Sequence, residues 1–260
     1  MRATLRKAGV SILKTVLAND HLDRMASEAI AKTEYPLTER IIDNRGIKFY
    51  CIGNTAQWRA ETLFTKEPET IEWINTFRVG DAFWDIGANV GCYSLYAGSR
   101  GCRVYAFEPA AANFFLLQRS IGLNDFHDRV KAFPIAVGPP TVPGGGYGFM
   151  ELSSVDFGQA NHSLSYMPYP NHRQGIYSDH IDSLAQSFGC PDHIKIDVDG
   201  IEDGIVNGAL KTLPYVKSLQ VEGRQRLKIN GFKCIFSGNS RMFDGTKYAG
   251  ILNHQYVRDA

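Results

Sequence analysis

Three acidic residues stand near the ends of apolar runs that have the length of buried strands. They are Asp85 in "FWDIGANVG", Glu108 in "VYAFEP" and Asp197 in "HIKIDVDG". The carboxyl ends of parallel strands meet at one edge of an open α/β sheet, where such folds bind ligands. Carboxylates there can accept hydrogen bonds from hydroxyl or ammonium groups, or take a proton from a reacting group. The sequence therefore predicts a ligand site with several carboxylates at one edge of a sheet.

The glycine turn after the first of these runs separates two classes of ligand. A dinucleotide site needs the spacing G-x-G-x-x-G, which puts the pyrophosphate on a helix N-terminus. Counted from Gly87, the second and third glycine positions hold Asn89 and Cys92, and Gly91 is out of register. Asp85 would also repel a pyrophosphate, whereas it would attract a cation. S-adenosylmethionine fits, because it carries an ammonium, a sulfonium and a ribose diol but no phosphate.

Segments typical of strands and helices alternate from about residue 82 onward. The strand segments are "AFWDIG", "CRVYAFEP", "VKAFPIAVG", "HIKIDVDG" and "VKSLQVEG", and "GFKCIFS" is a further one near the end. The helical segments between them are "GCYSLYAGS", "ANFFLLQRSIGLN", "IDSLAQSFG" and "IEDGIVNGALKTL". Such alternation implies parallel pairing with right-handed crossovers. We expect an α/β fold with an open, doubly wound, mostly parallel sheet and helices on both faces.

The chain is expected to have two parts. Residues 1–64 form an N-terminal extension, helical to about residue 35 and then a hairpin in "IIDNRGIKFYCIG". Residues 65–260 form the α/β domain, which residues 138–175 interrupt with a long insertion rich in Gly, Pro, Tyr, Asn and Ser. Long connections of this kind are usually functional or disordered. The aromatic residues argue against simple disorder, so we expect a hairpin and a lid beside the strand ends.

The charge, hydropathy and cysteine content of the chain argue against several classes of binding partner. A net charge of +1 gives no electrostatic case for nucleic acid, and no apolar run is long enough to span a membrane. The five scattered cysteines contain no CxxC pair, which argues against disulfides and structural zinc and fits a reducing cytoplasm. The N-terminus reads as an amphipathic helix rather than a signal peptide. Its apolar face, within residues 5–17, could pack on its own domain or form a homo-oligomer.

Four segments resemble the FkbM family of S-adenosylmethionine-dependent methyltransferases. They are "FWDIGANVGCYSLYA", "VYAFEP", "IDSLAQSFGCPDHIKIDVDGIEDGIVNGALKTL" and "VKSLQVEG". The resemblance runs from about residue 65 to about residue 223, and the family usually has Glu where Asp199 stands here. It implies a Rossmann-like class I methyltransferase domain, often acting on a hydroxyl oxygen of a sugar or a polyketide-type product.

The resemblance also implies roles for individual residues in binding S-adenosylmethionine and its product S-adenosylhomocysteine. Glu108 would hold the ribose, Ile135 and Ala136 would lie near the adenine, and Asp197 would lie beside the transferable methyl. The methionine portion would be lined by the turn residues Asp85, Gly87, Ala88, Asn89 and Gly91.

Charged residues near the fourth strand are the candidates for catalysis. Asp197 could act as a base, orient the acceptor or bind a metal, while Lys195 could act with it or simply pair with a carboxylate. His162, in the insertion, is a further candidate base. Asp199 and Glu202 have the spacing of a helix capping box. Asp197, Asp199 and Glu222 could offer oxygens to Mg²⁺, although no spacing requires a metal.

Acceptor binding is assigned to aromatic and basic residues of the insertion and of the segment upstream. A small-molecule or glycan acceptor would contact Tyr166, Tyr169, His172, Trp58 and Arg59, and the lid would set acceptor specificity. The leading function is O-methylation of a sugar hydroxyl. The alternatives are an N- or carboxyl-methyltransferase, a nicotinamide-dependent oxidoreductase, which the failed glycine register disfavours, and a non-catalytic binding protein.

Overall fold

The computed structural model describes residues 37–259 except 43–44, 141–144, 154–155, 161–162, 165–171, 199, 240–243 and 247–248. The predicted N-terminal helix therefore lies outside the described residues, and the domain boundary predicted at residue 64 stays a prediction. Among the helices that the structure describes, none has the length and hydropathy that a membrane span requires.

The strands and helices follow the predicted alternation. In chain order the strands are β1 (Leu37–Ile42), β2 (Arg45–Tyr50), β3 (Ala82–Ile86), β4 (Arg103–Phe107), β5 (Val130–Phe133), β6 (Ile135–Val137), β7 (Gly146–Glu151), β8 (Ser163–Leu164), β9 (Arg173–Asp179), β10 (His193–Ile196), β11 (Ser218–Gly223), β12 (Phe232–Gly238) and β13 (Leu252–Arg258). The helices are α1 (Gly53–Glu61), α2 (Pro68–Asn75), α3 (Cys92–Ser99), α4 (Ala111–Leu123), α5 (Ile181–Phe188) and α6 (Glu202–Asn207).

The main sheet has seven strands in the order β12-β13-β11-β10-β3-β4-β5. β3, β4, β5, β10 and β11 run parallel, while β13 is antiparallel to both of its neighbours. The chain first proceeds from β3 to β4 and β5, and it then continues on the other side of β3 with β10 and β11. This reversal of strand order opens a crevice at the carboxyl ends of β3 and β10. The predicted Rossmann-like, mostly parallel fold is confirmed.

The burial of β3 explains why the strands of this sheet have nearly continuous apolar sequences. Phe83, Trp84 and Ile86 are fully buried because helices cover both faces of the parallel sheet. β13 was not predicted, since its buried residues include Asn253, His254 and Gln255, which give no apolar pattern. Hydrogen bonds to other parts of the fold satisfy these polar side chains. A hydropathy pattern alone therefore does not reveal the strand.

A second, smaller sheet has the order β6-β9-β7-β8. The single strand predicted over "VKAFPIAVG" is wrong, because β5 ends before Pro134 and β6 then pairs with β9 instead of the main sheet. Proline lacks the N–H that a continuous ladder needs. Within the insertion, β7 pairs antiparallel with β9 and with β8. Strands β7 and β8 of the insertion are therefore attached to the domain through this second sheet.

Two local predictions need correction. The helix predicted over "IEDGIVNGALKTL" stops at Asn207, because Gly208 ends it, and a short 3-10 helix follows at Leu213–Tyr215. The capping box is also wrong, since Glu202 is the first helical residue and its Oε1 accepts a hydrogen bond from the Gly200 N–H at 2.7 Å. The hairpin predicted in "IIDNRGIKFYCIG" is confirmed as β1 and β2, and the Tyr50 N–H of β2 donates a hydrogen bond to Ser120 Oγ on α4 at 2.9 Å.

Candidate active site

A cavity of about 390 Å³ lies where the strand order reverses. Its wall comes from the ends of β3, β4, β10 and β11, from α1, from the second sheet, and from the segments before α2 and around β13. The polar side chains that line it are Thr55, Arg59, Lys66, Glu67, Asn89, Glu108, Asn113, Gln159, Asp197, Glu222, Asn239 and Asn253. The cavity is thus lined by both amide and charged groups.

The glycine turn between β3 and α3 is shaped by contacts with the protein itself. Gly87 has φ 80°, and a Cβ there would lie 1.9 Å from the carbonyl oxygen of Asp197. Gly91 has φ 87°, and a Cβ there would lie 2.3 Å from Leu117. Asn89, with φ 51°, adopts the left-handed conformation that asparagine tolerates. Both glycines therefore have a packing role, and Gly87 also lines the cavity.

Glu108 presents a buried carboxylate to the cavity just beyond β4. One of its oxygens accepts a hydrogen bond from the Asn89 N–H at 2.7 Å, and the other accepts one from the Ala110 N–H at 2.8 Å. Burial raises the pKa of Glu108 to about 7, although these backbone N–H groups oppose the shift. Each oxygen keeps a lone pair, so the carboxylate can still accept from two adjacent hydroxyls.

The cavity wall next to Glu108 also contains two asparagines and one segment of the insertion. Asn89 and Asn113 both donate a side-chain hydrogen bond to the backbone oxygen of Gln159. We call Asn89, Glu108, Asn113 and Gln159 the amide cluster. Its hydrogen bonds involve amides and a single carboxylate, so it can recognise a polar, uncharged part of a ligand.

Asp85 lies beneath the cavity and is not among the residues that line it. The side chain is buried, and Oδ2 accepts a hydrogen bond from Ser94 Oγ at 2.6 Å. Within the described part of the chain, Oδ1 has no hydrogen-bond partner. Burial raises the pKa of Asp85, and the positive charge of Lys195, its neighbour in register on β10, opposes the shift. Asp85 therefore interacts with Ser94 on α3 and with the charge of Lys195, and it does not line the cavity.

Glu67, Asp197 and Glu222 form a second group, which we call the carboxylate cluster. One oxygen from each lies within 4.8 Å of the others. Lys66 pairs with Glu67, and the buried Lys195 donates to Asp197 Oδ2 at 2.6 Å. Glu108 follows β4, which lies two strands from β10 and three from β11 in the sheet, so about 10 to 14 Å separates it from Asp197 and Glu222 at the usual strand spacing.

The carboxyl groups of this cluster differ in pKa. Burial would raise the pKa of Asp197, but Lys195 and Lys66 lower it below its ordinary value. Burial raises the pKa of Glu222 well above its ordinary value, and the charges of Asp197 and Glu67 reinforce the shift. Burial alone would lower the pKa of Lys195, but Asp197, Glu67 and Asp85 raise it. Asp197 is therefore held ionised, while Glu222 retains a proton more readily.

The metal prediction named Asp197, Asp199 and Glu222. The structure brings Asp197 and Glu222 together, but the third carboxylate beside them is Glu67, and Asp199 lies outside the described residues. Three carboxylate oxygens suit Mg²⁺. Lys66 and Lys195 already pair with two of the three carboxyl groups, however, so we assign no metal to this cluster.

The other predicted residues divide into three sets. Those that line the cavity are Trp58, Arg59, Gly87, Asn89, Glu108, Ala136 and Asp197. Those in the described chain but not in the cavity wall are Asp85, Ala88, Gly91, Ile135, Lys195 and His172, of which His172 is exposed. Those outside the described residues are His162, Tyr166, Tyr169 and Asp199.

Sequence reasoning missed several residues of the site. Lys66 and Glu67 precede Pro68 at the start of α2, far in sequence from the strand ends that carry the predicted site. Asn113 lies shortly after Glu108 in the sequence, in the first turn of α4. This short separation could have indicated that Asn113 belongs to the site. Gln159 accepts the hydrogen bonds from Asn89 and Asn113 through its backbone oxygen, so the type of its side chain could not have indicated this role.

Comparison with known proteins identifies the family of this chain. Residues 85–224, more than half of the chain, match the family model "Methyltransferase FkbM domain". The chain belongs to the FkbM methyltransferase family. The family assignment inferred from the motifs around Asp85, Glu108 and Asp197 is confirmed.

Relatives of this FkbM-family chain include the methyltransferase sdnD of Sordaria araneosa, 33% identical over 100 residues. That match covers 36% of this chain and 37% of sdnD, so the chain spans little more than a third of the length of this curated relative. Among solved structures, the Escherichia coli protein yhhF is 13% identical with a TM-score of 0.50, over 86% of this chain and 99% of that chain. The likeness to yhhF concerns the fold alone.

Proposed function

We propose that the protein transfers a methyl group from S-adenosylmethionine to a hydroxyl oxygen of a sugar or of a glycosylated molecule. One observation carries the proposal: a single cavity joins the amide cluster on one side of β3 to the carboxylate cluster on the other. The first suits a nucleoside, and the second suits an acceptor that gives up a proton. Membership of the FkbM family supports the reaction class.

The residues around the amide cluster fit the cofactor. The carboxylate of Glu108 can accept hydrogen bonds from a ribose diol, and the neighbouring wall includes Phe107, Ala136, Val137 and Met150, which suit an apolar ring such as adenine. S-adenosylmethionine, when bound, supplies a methyl carbon that its sulfonium has already activated. The protein then needs only to align the acceptor with this carbon and to receive a proton.

The carboxylate cluster is suited to a neutral hydroxyl acceptor. Glu67 and Asp197 are each paired with a lysine, so they can accept hydrogen bonds from hydroxyl groups without leaving a net charge in the cavity. Because both lysines are already paired, a carboxylate acceptor would find no free ammonium group in this cluster. Trp58 and the amides of Asn239 and Asn253, also in the wall, are the types of group that contact sugar rings and their hydroxyls.

Glu222 is the better proton acceptor of the two carboxyl groups at the strand ends. Asp197 is fixed by Lys195, and its lowered pKa makes it a weak base. Glu222 has carboxylates as its strongest electrostatic neighbours, and a base is most effective when its pKa lies near the working pH. We therefore assign proton transfer to Glu222 and orientation of the acceptor to Asp197.

The test is a binding measurement followed by a transfer assay. Calorimetric titration with S-adenosylhomocysteine should give micromolar binding, worth about 8 kcal/mol, and NADH should give none. Radiolabelled S-adenosylmethionine should then label neutral sugars in preference to amines and carboxylic acids of similar size. Preferential labelling of amines would replace O-methylation by N-methylation, and absence of S-adenosylhomocysteine binding by folded protein would refute the cofactor assignment.

A further inference from the structure

One short segment of the insertion, residues 158–160, forms part of the cavity wall. Gln159 and Ala160 line the cavity, and Gly158 enters the segment with φ 78°. We call residues 158–160 the strap. The strap belongs to neither sheet, so side chains of other elements must hold it in place.

Asn113 makes two hydrogen bonds to the strap. Its Nδ2 donates to the backbone oxygen of Gln159 at 2.9 Å, and its Oδ1 accepts from the Gly158 N–H at 2.8 Å. Asn113 is 1% exposed, so water cannot readily replace these bonds. A buried amide that satisfies two neighbouring backbone groups fixes both the position and the direction of the segment.

Other elements hold the strap from two further directions. Asn89, in the glycine turn, donates to the same Gln159 oxygen at 2.9 Å. Arg59, on α1, donates from Nε to the Gly158 oxygen at 2.7 Å. A Cβ on Gly158 would lie 2.7 Å from the Ala56 nitrogen, so only glycine permits this close approach to α1. The strap is thus wedged between α1, the glycine turn and α4.

The residues that hold the strap also contact Glu108. The Asn89 N–H donates to Glu108, and the nearby side chain of Asn113 lowers the pKa of the same carboxyl group against the effect of burial. The strap and the candidate ribose-binding carboxylate are therefore anchored by the same two asparagines. A change in the position of the strap must alter the surroundings of Glu108.

We propose that Asn113 is a positioning residue that holds the strap as one wall of the cofactor site and thereby slows the release of the cofactor. The proposal rests on the proposed function, in that the ligand is the nucleoside thioether S-adenosylhomocysteine or its methylated form. It assigns this part of the insertion to the cofactor, whereas the sequence predicted that the insertion sets acceptor specificity.

The experiment compares wild type with Asn113→Ala, Asn113→Asp and Asn124→Ala. Asn124 ends the same helix and bonds the backbone of Lys48, so its variant serves as a structural control away from the cavity. The dissociation rate of S-adenosylhomocysteine is measured by stopped-flow displacement. Asn113→Ala loses two hydrogen bonds and should release the ligand about ten- to hundredfold faster. Asn113→Asp keeps the bond from Gly158 but places a carboxylate oxygen against the Gln159 carbonyl oxygen, so its release should be at least as fast as that of Asn113→Ala.

A second readout uses hydrogen exchange of the peptide containing residues 158–160 in the ligand-free protein. Asn113→Ala should speed exchange there, and Asn124→Ala should not. If Asn113→Ala and Asn124→Ala lower the melting temperature equally and leave both the release rate and the strap exchange unchanged, Asn113 is merely structural. If wild type does not bind S-adenosylhomocysteine, the proposed function fails, and the role in cofactor release fails with it. Unchanged exchange in Asn113→Ala would separately overturn the anchoring of the strap.

Discussion

The two clusters in the cavity differ in how they are built. The amide cluster uses backbone groups and amides around one carboxylate, whereas the carboxylate cluster pairs acidic groups with two lysines. The amide cluster contains one titratable group, Glu108, whereas the carboxylate cluster contains three carboxyl groups whose charges influence one another. In the proposed function, separate parts of one cavity therefore bind the nucleoside and accept the proton.

The largest effect is expected from removing the proton acceptor of the carboxylate cluster. Glu222→Gln should lower kcat about a hundred- to ten-thousandfold, the usual contribution of a general base, and should leave S-adenosylhomocysteine affinity unchanged. Because the pKa of Glu222 is raised, wild-type kcat should fall as the pH drops through that pKa, and the variant should lack this limb. Glu72→Gln, at an exposed position on α2, serves as the control. An equal loss of cofactor affinity would mean that the two clusters do not act separately.

The second-largest effect is expected from replacing Lys195, the buried lysine that pairs with Asp197 of the carboxylate cluster. Lys195→Met would leave Asp197 without its cation and should lower the free energy of unfolding by about 3–5 kcal/mol, as measured by urea denaturation. Lys195→Met/Asp197→Asn should recover part of this loss, because no unpaired charge remains.

Lys217→Met is the matched control for that experiment. Lys217 pairs with Asp81 and Asp192, but its side chain is 51% exposed. Solvent screening should limit the loss to about 1 kcal/mol or less. Equal losses for the two lysine variants would contradict the view that the carboxylate cluster depends on a buried ion pair.

The smallest effect is expected at the amide cluster. Glu108→Gln should weaken S-adenosylhomocysteine binding about tenfold, because a hydrogen bond to a charged acceptor becomes one to a neutral acceptor. The pKa of Glu108 is about 7, so wild-type affinity should rise between about pH 6 and pH 8 as the carboxylate ionises. Calorimetry across this range should find the affinity of the variant nearly constant. A parallel rise in the variant would assign the pH dependence to another group.

Protein stability gives an independent check on Glu108. Its folded-state pKa of about 7 lies above the ordinary value of 4.5, so the folded protein holds a proton that the unfolded chain has lost in this range. The stability contributed by the group is complete below about pH 4.5 and is lost as the pH rises through about 7. Glu108→Gln should therefore gain stability relative to wild type between these pH values. A constant difference in melting temperature would show that the pKa of Glu108 is not raised.

The parts of the site that sequence predicted best are those that are local in the chain. Gly87, Asn89 and Glu108 follow directly from two strands whose apolar runs are unambiguous, and all three line the cavity. Asp85 shows the limit of this reasoning. The sequence correctly places Asp85 at the end of β3. Whether its side chain faces a ligand or packs beneath the cavity depends on α3, because Ser94 of that helix donates a hydrogen bond to Asp85.

The alternating fold and the family could be predicted from the sequence, because neighbouring residues encode buried parallel strands and glycine turns. The carboxylate cluster and the strap became apparent only in the folded structure. Glu67, Asp197 and Glu222 come from three distant segments, and their charges become coupled only when the sheet brings them within 4.8 Å. The strap is held largely through backbone atoms of Gly158 and Gln159, and backbone atoms are the same in every residue.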